Sequence, residues 1–297
     1  MNFIAFSDEQ QLLLPIISLL RKNGPVDVIT QGDSAKSLEK SGARKIFLIE
    51  DTNRVDSVSD LIAEKMRAGE YTHAFFASTV NGRDVAGLVS GKTGMKAVAE
   101  INSLVLDGNT VKTKRFFYGG KSIVEEESDA KIFTFVPGIS EASQADTVSQ
   151  VEKLASKPSK INVVSVEEKN TGGVDIEKSQ AIVGVGRGIG NKEGLSAVEP
   201  LASVLNGVVA GSRPVCLDYH WLSEDRQVGL SGKKVRPKVY IAIGISGQIQ
   251  HIAGMRGSKV VIAINKDKSA PIFEECDYGI VGDLFQIVPK IVEGMKK

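Results

Sequence analysis

The stretch VYIAIGISGQIQHIAGMRGSKVVIAIN, residues 239–265, decides the fold of this chain. An apolar run ends in Gly-Ile-Ser-Gly, a short polar-faced segment carries Gln250 and His251, and a second apolar run ends in Asn265. This pattern predicts a strand, a tight turn, a short helix and a second strand, which together form one βαβ unit. Ser246 lies where a helix N-cap is expected, and the start of a helix attracts anions. The stretch therefore predicts a site for a phosphate-bearing ligand.

Other predicted strands in the second half of the chain also end in glycines or small polar residues. These strand ends are Gly184–Gly190, Ser212-Arg213, Ser246-Gly247, Asn265 and Asp283. The carboxyl ends of parallel strands lie on one edge of an open sheet, and ligands bind in the crevice outside that edge. The glycine cluster lacks the GxGxxG spacing of a dinucleotide fingerprint, so packing beneath a ligand and contact with phosphates both stay open for it. The strand ends together predict a crevice for an extended ligand with phosphates and hydroxyls.

The first half of the chain also alternates apolar runs with amphipathic segments, which predicts a parallel α/β sheet. Helices are expected at Leu12–Lys22, Val58–Ala68 and, later, Glu193–Asn206, and hairpin partners among the runs between 113 and 166. The charged stretch EEKNTGGVDIEK (167–178) has no apolar period and predicts a linker.

We therefore predict an α/β protein of two domains, each with a mainly parallel sheet flanked by helices. The first domain is 1–168, the linker is 169–178, and the second, doubly wound domain is 179–297.

The composition excludes several classes of protein. The net charge is +1 and the apolar fraction is 42%, so we expect no nucleic-acid partner and no membrane-surface partner. The longest apolar run, Leu12–Leu20, contains Pro15 and is too short to cross a bilayer, so we expect no membrane insertion. The N-terminus is acidic where a signal peptide is basic, which favours the cytoplasm. Cys216 and Cys276 lack the spacing of a metal knuckle, so no metal site is expected.

The second half of the chain resembles the C-terminal domain of the electron-transfer flavoprotein alpha subunit family, most closely its prokaryotic type. The segments that carry the resemblance are GSR (211–213), QVGLSGK (227–233), VYIAIGISGQIQH (239–251), GSKVVIAINKD (257–267), API (270–272) and DYGIVGDLF (277–285). Members of that family bind FAD in a Rossmann-like second domain, and a beta subunit covers the flavin. The resemblance therefore implies an FAD site in the second domain and a cofactor-free first domain that contacts the beta subunit of a heterodimer.

The resemblance also implies which residues bind FAD and which roles some of them have. Arg213 would lie against the isoalloxazine and stabilise a reduced, negatively charged flavin, Ser231 would hydrogen-bond N5, and His251 would reach the O2 edge. Ser246 and the backbone after it would hold the pyrophosphate and ribityl region, and Asn265 and Asp283 would serve the pyrophosphate and adenosine end. The full set of cofactor-binding residues is Arg213, Gln227, Val228, Ser231, Gly232, Ser246, Gly247, Gln250, His251, Asn265, Asp283 and Leu284.

The chemistry of these side chains agrees with the implied roles. Reduction places negative charge at N1 and O2 of a flavin, which an arginine and a protonated histidine stabilise. The residues after Arg213 depart from the mitochondrial pattern of the family by one additional residue, and Cys276 and Gly282 stand where alanine is usual. These departures bear on which branch of the family the chain resembles and do not affect the implied FAD site.

The resemblance implies an electron carrier without catalytic residues of its own. It would pass electrons from acyl-CoA-type dehydrogenases to a quinone reductase or a ferredoxin-linked acceptor. Two alternatives remain open at this point. One is a subunit of an electron-bifurcating, NADH-linked flavoprotein, and the other is a stand-alone oxidoreductase that uses FAD or NAD.

Overall fold

A computed structural model describes residues 1–32, 34–108, 110–165 and 175–295 of this chain. The chain divides into two compact units, Met1–Glu167 and Glu168–Lys297. Most of the predicted linker, residues 169–174, lies outside the described residues. Within its remaining part, Ile176 is fully buried in the core of the second unit. The packing of the second unit therefore begins inside the predicted linker.

The described residues of the first unit contain one nine-stranded sheet, with strand order β7-β6-β5-β8-β4-β1-β2-β3-β9. Its strands are β1 (Phe3–Phe6), β2 (Val26–Gln31), β3 (Lys45–Ile49), β4 (His73–Ala77), β5 (Ala97–Asp107), β6 (Thr110–Phe117), β7 (Ser122–Ser128), β8 (Ile132–Phe135) and β9 (Gln150–Lys153). The β5–β6 and β6–β7 pairs are antiparallel, and all other neighbours are parallel. The mainly parallel sheet predicted from the sequence is confirmed.

Helices cover both faces of this sheet. They are α1 (Leu13–Leu20), α2 (Ser34–Leu38), α3 (Val55–Arg67) and α4 (Val80–Thr93). The apolar side of α1 packs on one face of the sheet, and α3 and α4 pack on the other. Because helices cover both faces, every residue of β1 and β4 is buried, and their sequences FIAF and HAFFA are therefore continuously apolar.

The second unit contains a five-stranded parallel sheet with strand order β11-β10-β12-β13-β14. Its elements are β10 (Ala181–Val185), α5 (Glu199–Val204), β11 (Val208–Gly211), β12 (Val239–Ile243), α6 (Ile249–Met255), β13 (Val260–Asn265), β14 (Tyr278–Val281) and α7 (Leu284–Met295). Helices α5 and α7 pack on one face, and α6 packs on the other. The doubly wound arrangement predicted for this domain is confirmed.

Three local predictions are wrong. Helix α6 begins at Ile249 with Gln248 as its N-cap residue, not Ser246, because Gly247 adopts φ +86° and prolongs the turn by two residues. The predicted helix Glu193–Asn206 is split into a 3-10 helix, Lys192–Ala197, and α5, since Pro200 has no N–H to continue the first segment.

The third concerns the apolar run Ile161–Val166, one of the runs among which hairpin partners were expected. Residues 161–165 form no strand, and Val166 lies outside the described residues. The hairpin prediction is confirmed by the antiparallel pair β6–β7.

Candidate functional site

The second unit contains a cavity of about 980 Å³ at the carboxyl edge of its sheet. The chain passes from β10 to β11 on one side and then crosses to β12 on the other, so the strand order reverses between β10 and β12. Ligands of open α/β sheets bind at such a switch point. The lining residues are Gly186, Arg187, Gly188, Ser212, Arg213, Pro214, Gln227, Val228, Gly229, Leu230, Ser231, Gly244, Ile245, Ser246, Gln248, Gln250, His251, Asn265, Asp267, Ala270 and Pro271.

The cavity brings together most of the residues predicted to bind the cofactor. Those that line it are Arg213, Gln227, Val228, Ser231, Ser246, Gln250, His251 and Asn265. Gly232, Gly247, Asp283 and Leu284 do not line it. Both glycines support neighbouring backbone: a Cβ on Gly247 would lie 2.2 Å from the nitrogen of Ile272.

Asp283 and Leu284 follow β14 at the same edge of the sheet but are held by other contacts. Asp283 pairs with Lys266 over 3.0 Å, and this hydrogen bond lowers the pKa of the carboxyl group. The side chain of Leu284 is buried in the hydrophobic core beneath α7. The contact of Asp283 with the pyrophosphate and adenosine end of the cofactor, and any contact of Leu284 with the cofactor, remain predictions.

Two arginines reach the cavity from adjacent strands. Arg213 follows β11 and precedes a π-helical turn, Pro214–Asp218, and Arg187 follows β10. Both side chains are exposed, and neither forms an ion pair with any residue that the structure describes. Two unpaired guanidinium groups at one cavity favour a ligand with several negative charges.

The loops after β10 and β12 lie backbone against backbone. A Cβ on Gly186 would lie 2.2 Å from the carbonyl oxygen of Gly244, and a Cβ on Gly188 would lie 2.6 Å from its Cα. The N–H of Gly188 donates to that same carbonyl over 3.0 Å. Gly186 and Gly188 therefore serve packing, which the sequence left open, and they line the cavity as well.

Asn265 braces the turn that follows β12. Its Nδ2 donates to the carbonyl of Ile245 over 2.8 Å, and its Oδ1 accepts from the N–H of Asp267 over 3.0 Å. The side-chain amide thus holds together two loops of the cavity wall. Ser246 lies on the first of these loops and is exposed to the cavity.

His251 is buried and neutral at the cavity wall. Its Nε2 lies 3.0 Å from the hydroxyl of Tyr240, which is completely buried. Burial lowers the pKa of His251 to about 4, although the backbone of Val228 raises it somewhat. Its Nδ1 is buried and has no hydrogen-bond partner among the described residues. The protonated histidine expected from the sequence is therefore not the form that this environment favours.

Comparisons with known proteins identify the family. Residues 18–169 match the electron transfer flavoprotein domain, and residues 175–256 match the electron transfer flavoprotein FAD-binding domain. The chain belongs to the electron transfer flavoprotein alpha subunit family. FAD, the cofactor expected from the sequence, is the cofactor named for the domain that contains most of the cavity.

Curated relatives of this electron transfer flavoprotein chain match along most of their length. The alpha subunit of Paracoccus denitrificans is 33% identical over 93% of this chain and 92% of that protein. The alpha subunit of Bacillus subtilis is 34% identical over 93% and 89%. The putative electron transfer flavoprotein subunit YdiR of Escherichia coli is 31% identical over 91% and 89%. A crystal structure of Acinetobacter baumannii MurG has a TM-score of 0.32 at 8% identity and covers 100% of this chain and 90% of that one, which supports no conclusion here.

The cavity fits the cofactor of this family. Its volume is at the upper end of the range of roughly 300–1,000 Å³ that ligand pockets span, as a dinucleotide requires. The unpaired Arg187 and Arg213 suit the charges of a pyrophosphate and a reduced flavin, and the loop glycines let backbone approach the ligand closely. The buried Nδ1 of His251 has no hydrogen-bond partner within the described part of the chain, which is expected where a ligand completes the site.

Sequence reasoning missed several residues of this cavity, above all Arg187 and Ser212. Arg187 lies inside the glycine cluster that the sequence singled out, and Ser212 precedes Arg213, so the strand-end signal covered both positions. Tyr240 carries no sequence signal for its contact with His251, because a tyrosine in a buried strand usually reads as core.

Among the described residues, no cluster of histidine, cysteine and carboxylate side chains is arranged to hold a metal ion. Every described helix is too short or too polar to pass through a bilayer.

Proposed function

We propose that this chain is the FAD-carrying alpha subunit of a heterodimeric electron transfer flavoprotein, an electron carrier between dehydrogenases and a quinone reductase or similar acceptor. The observation that supports this most is the cavity at the switch point of the FAD-binding domain, lined by most of the side chains that the sequence predicted for FAD. Acyl-CoA-type dehydrogenases are the donors that the family resemblance favours. The cytoplasmic location expected from the sequence belongs to the same proposal.

Bound FAD supplies the one- and two-electron chemistry, and the protein residues set its environment. Arg213 places a positive charge at the cavity and lowers the free energy of a negatively charged flavin. Arg187 and the backbone around Ser246 hold the phosphates, and Asn265 keeps that loop in place. His251 contributes a neutral imidazole, fixed from the protein side by Tyr240.

The first unit, together with residue 168, forms the cofactor-free domain in this proposal and contacts the beta subunit. The curated relatives are named as alpha subunits, and a subunit name implies at least one partner chain, which supports this part of the proposal. Burial of the flavin would then be shared, since Arg213 and Ser231 are both exposed in the single chain. A partner that covers them excludes water from the cofactor.

The test is to express the chain together with its partner subunit and record the visible absorption spectrum of the purified complex. We expect a flavin spectrum, and FAD after acid extraction and chromatography. A complex without flavin would refute the proposal. Rapid reduction of the bound flavin by NADH would instead support the electron-bifurcating alternative, and steady turnover of a small substrate by this chain alone would support the oxidoreductase alternative.

A further inference from the structure

A hydrogen bond joins two side chains at the cavity, those of Gln227 and Ser231. Gln227 is only 3% exposed, and its Nε2 donates to Oγ of Ser231 over 3.0 Å. Ser231 is exposed and lines the cavity. Both residues were predicted to contact the cofactor, but no pattern in the sequence relates one to the other.

The direction of this bond determines what the hydroxyl can offer a ligand. A serine hydroxyl has one proton to donate and two lone pairs that accept. Since Gln227 donates to one of the lone pairs, the proton of Ser231 and its second lone pair remain available. No described residue accepts a hydrogen bond from Ser231 Oγ, so this proton is free for an acceptor in the cavity, which is water in the absence of a ligand and a ligand atom in its presence.

The loop between the two residues keeps the amide of Gln227 in place. The N–H of Lys233 donates to the carbonyl of Gln227 over 2.8 Å and closes the loop. Gly232 packs directly on Gln227, because a Cβ there would lie 2.5 Å from its carbonyl oxygen and 2.8 Å from its Cγ. Gly232 thus affects the cavity by holding Gln227 in place. This explains why the segment QVGLSGK (227–233) contains a glycine that does not itself line the cavity.

We propose that Gln227 is a positioning residue that makes Ser231 a hydrogen-bond donor toward FAD. The inference rests on the proposed function and adds to it the direction of the bond and the residue that sets it. The acceptor would be N5 of the flavin, which carries no proton in the oxidised cofactor. A hydroxyl that donates its proton to N5 stabilises the unprotonated nitrogen and so disfavours protonation there. The opposite orientation of the amide would make Ser231 donate to Gln227 instead, so the direction is open to measurement.

The experiment uses the complex with its partner subunit, loaded with FAD that carries ¹⁵N at N5. The variants are Gln227→Met, which keeps side-chain length and removes the donor, Ser231→Ala, and both together. In the wild type, the N5 resonance should have the shift of a nitrogen that accepts a hydrogen bond. In Gln227→Met it should move toward the value in Ser231→Ala, and the double variant should match Ser231→Ala. The dissociation constant of FAD should rise about two- to tenfold in each single variant and no further in the double variant.

A further variant at the same position controls for general disruption of the fold. Ser231→Thr keeps the hydroxyl and the contact with Gln227, and its N5 resonance should stay close to that of the wild type. The inference is overturned if N5 accepts no hydrogen bond in the wild type, or if Gln227→Met leaves the resonance unchanged. It is also overturned if Gln227→Met keeps its full effect in the Ser231→Ala background. A complex that holds no FAD would overturn the proposed function as well, whereas bound FAD with an unaffected resonance overturns this inference alone.

Discussion

Replacing Tyr240 with phenylalanine removes one hydroxyl and leaves a buried histidine without its partner. Tyr240 is 0% exposed and His251 is 7% exposed, so water does not readily replace the lost bond. A neutral hydrogen bond contributes about 0.5–1.5 kcal/mol, and a buried polar atom left unpaired costs about 1–3 kcal/mol. We therefore expect Tyr240→Phe to lower the free energy of unfolding of the second unit by about 1–2 kcal/mol.

The single tryptophan of the chain reports on this unit. Trp221 packs against the hydrophobic core formed with α5 and α7, so its fluorescence follows unfolding of the second unit in urea. With an m-value of about 2 kcal/mol per M, the expected fall in the urea midpoint is roughly 0.5–1 M. Tyr278→Phe is the matched control, since Tyr278 is 66% exposed and its hydroxyl makes no hydrogen bond within the described chain.

A double variant separates loss of the bond from a general loss of packing. Replacing both partners by apolar groups leaves no unpaired polar atom, so Tyr240→Phe with His251→Leu should be more stable than the sum of the single effects predicts. The reasoning is refuted if Tyr240→Phe costs no more than Tyr278→Phe. Strictly additive effects of Tyr240→Phe and His251→Leu would refute it as well.

Three further predictions concern charge, protonation and loop packing. Arg213→Ala should lower the potential of the first, one-electron reduction of the flavin by roughly 40 mV, which corresponds to about 1 kcal/mol for unit charges in contact in water. Lys192→Ala, outside the cavity, should leave this potential unchanged, and equal potentials of the two variants in redox titrations would contradict the prediction. Because the pKa of His251 is lowered from 6.5 to about 4, the unfolded state binds more protons than the folded state between these pH values. The second unit should therefore lose stability as the pH falls from 6.5 toward 4, by at most about 1.4 kcal/mol per pH unit. In urea unfolding at several pH values, His251→Leu should show a weaker dependence of stability on pH, and an unchanged dependence would count against a neutral His251. Gly188→Ala places a Cβ 2.6 Å from the facing backbone and should destabilise the second unit by about 1–3 kcal/mol. The control Gly294→Ala meets open space in α7 and should be neutral or stabilising. Equal urea midpoints for the two variants would contradict the prediction and show that the loops adjust freely.

The fold of the second unit could be read from the sequence because its strands are short, continuously apolar and followed by glycines. Because parallel strands end at the same edge of a sheet, the sequence alone predicts that Arg213, Ser246 and Asn265 lie on one edge. The first unit was harder, since β9 lies in a polar stretch, and its pairing with β3 depends on a contact between residues 45–48 and 150–153. No local period reveals such a contact.

The finer chemistry of the site could not be predicted in the same way. Ser246 has the identity of an N-cap residue, but the positive φ of Gly247 moves the helix start away from it. His251 was expected to carry charge because histidine commonly does near an anionic group, yet its burial against Tyr240 keeps it neutral. Both outcomes depend on tertiary packing, which a motif does not contain.

The central claim is that the cavity at the switch point of the second unit holds FAD. Ser246→Trp tests it most directly, because Ser246 is exposed in the cavity and an indole there would occupy the space of the ligand. The measurement is the amount of FAD per complex, by acid extraction and chromatography, with thermal unfolding as a control for folding. The account predicts that the folded variant complex loses one equivalent of FAD relative to the wild type. Retention of the full wild-type amount would contradict it.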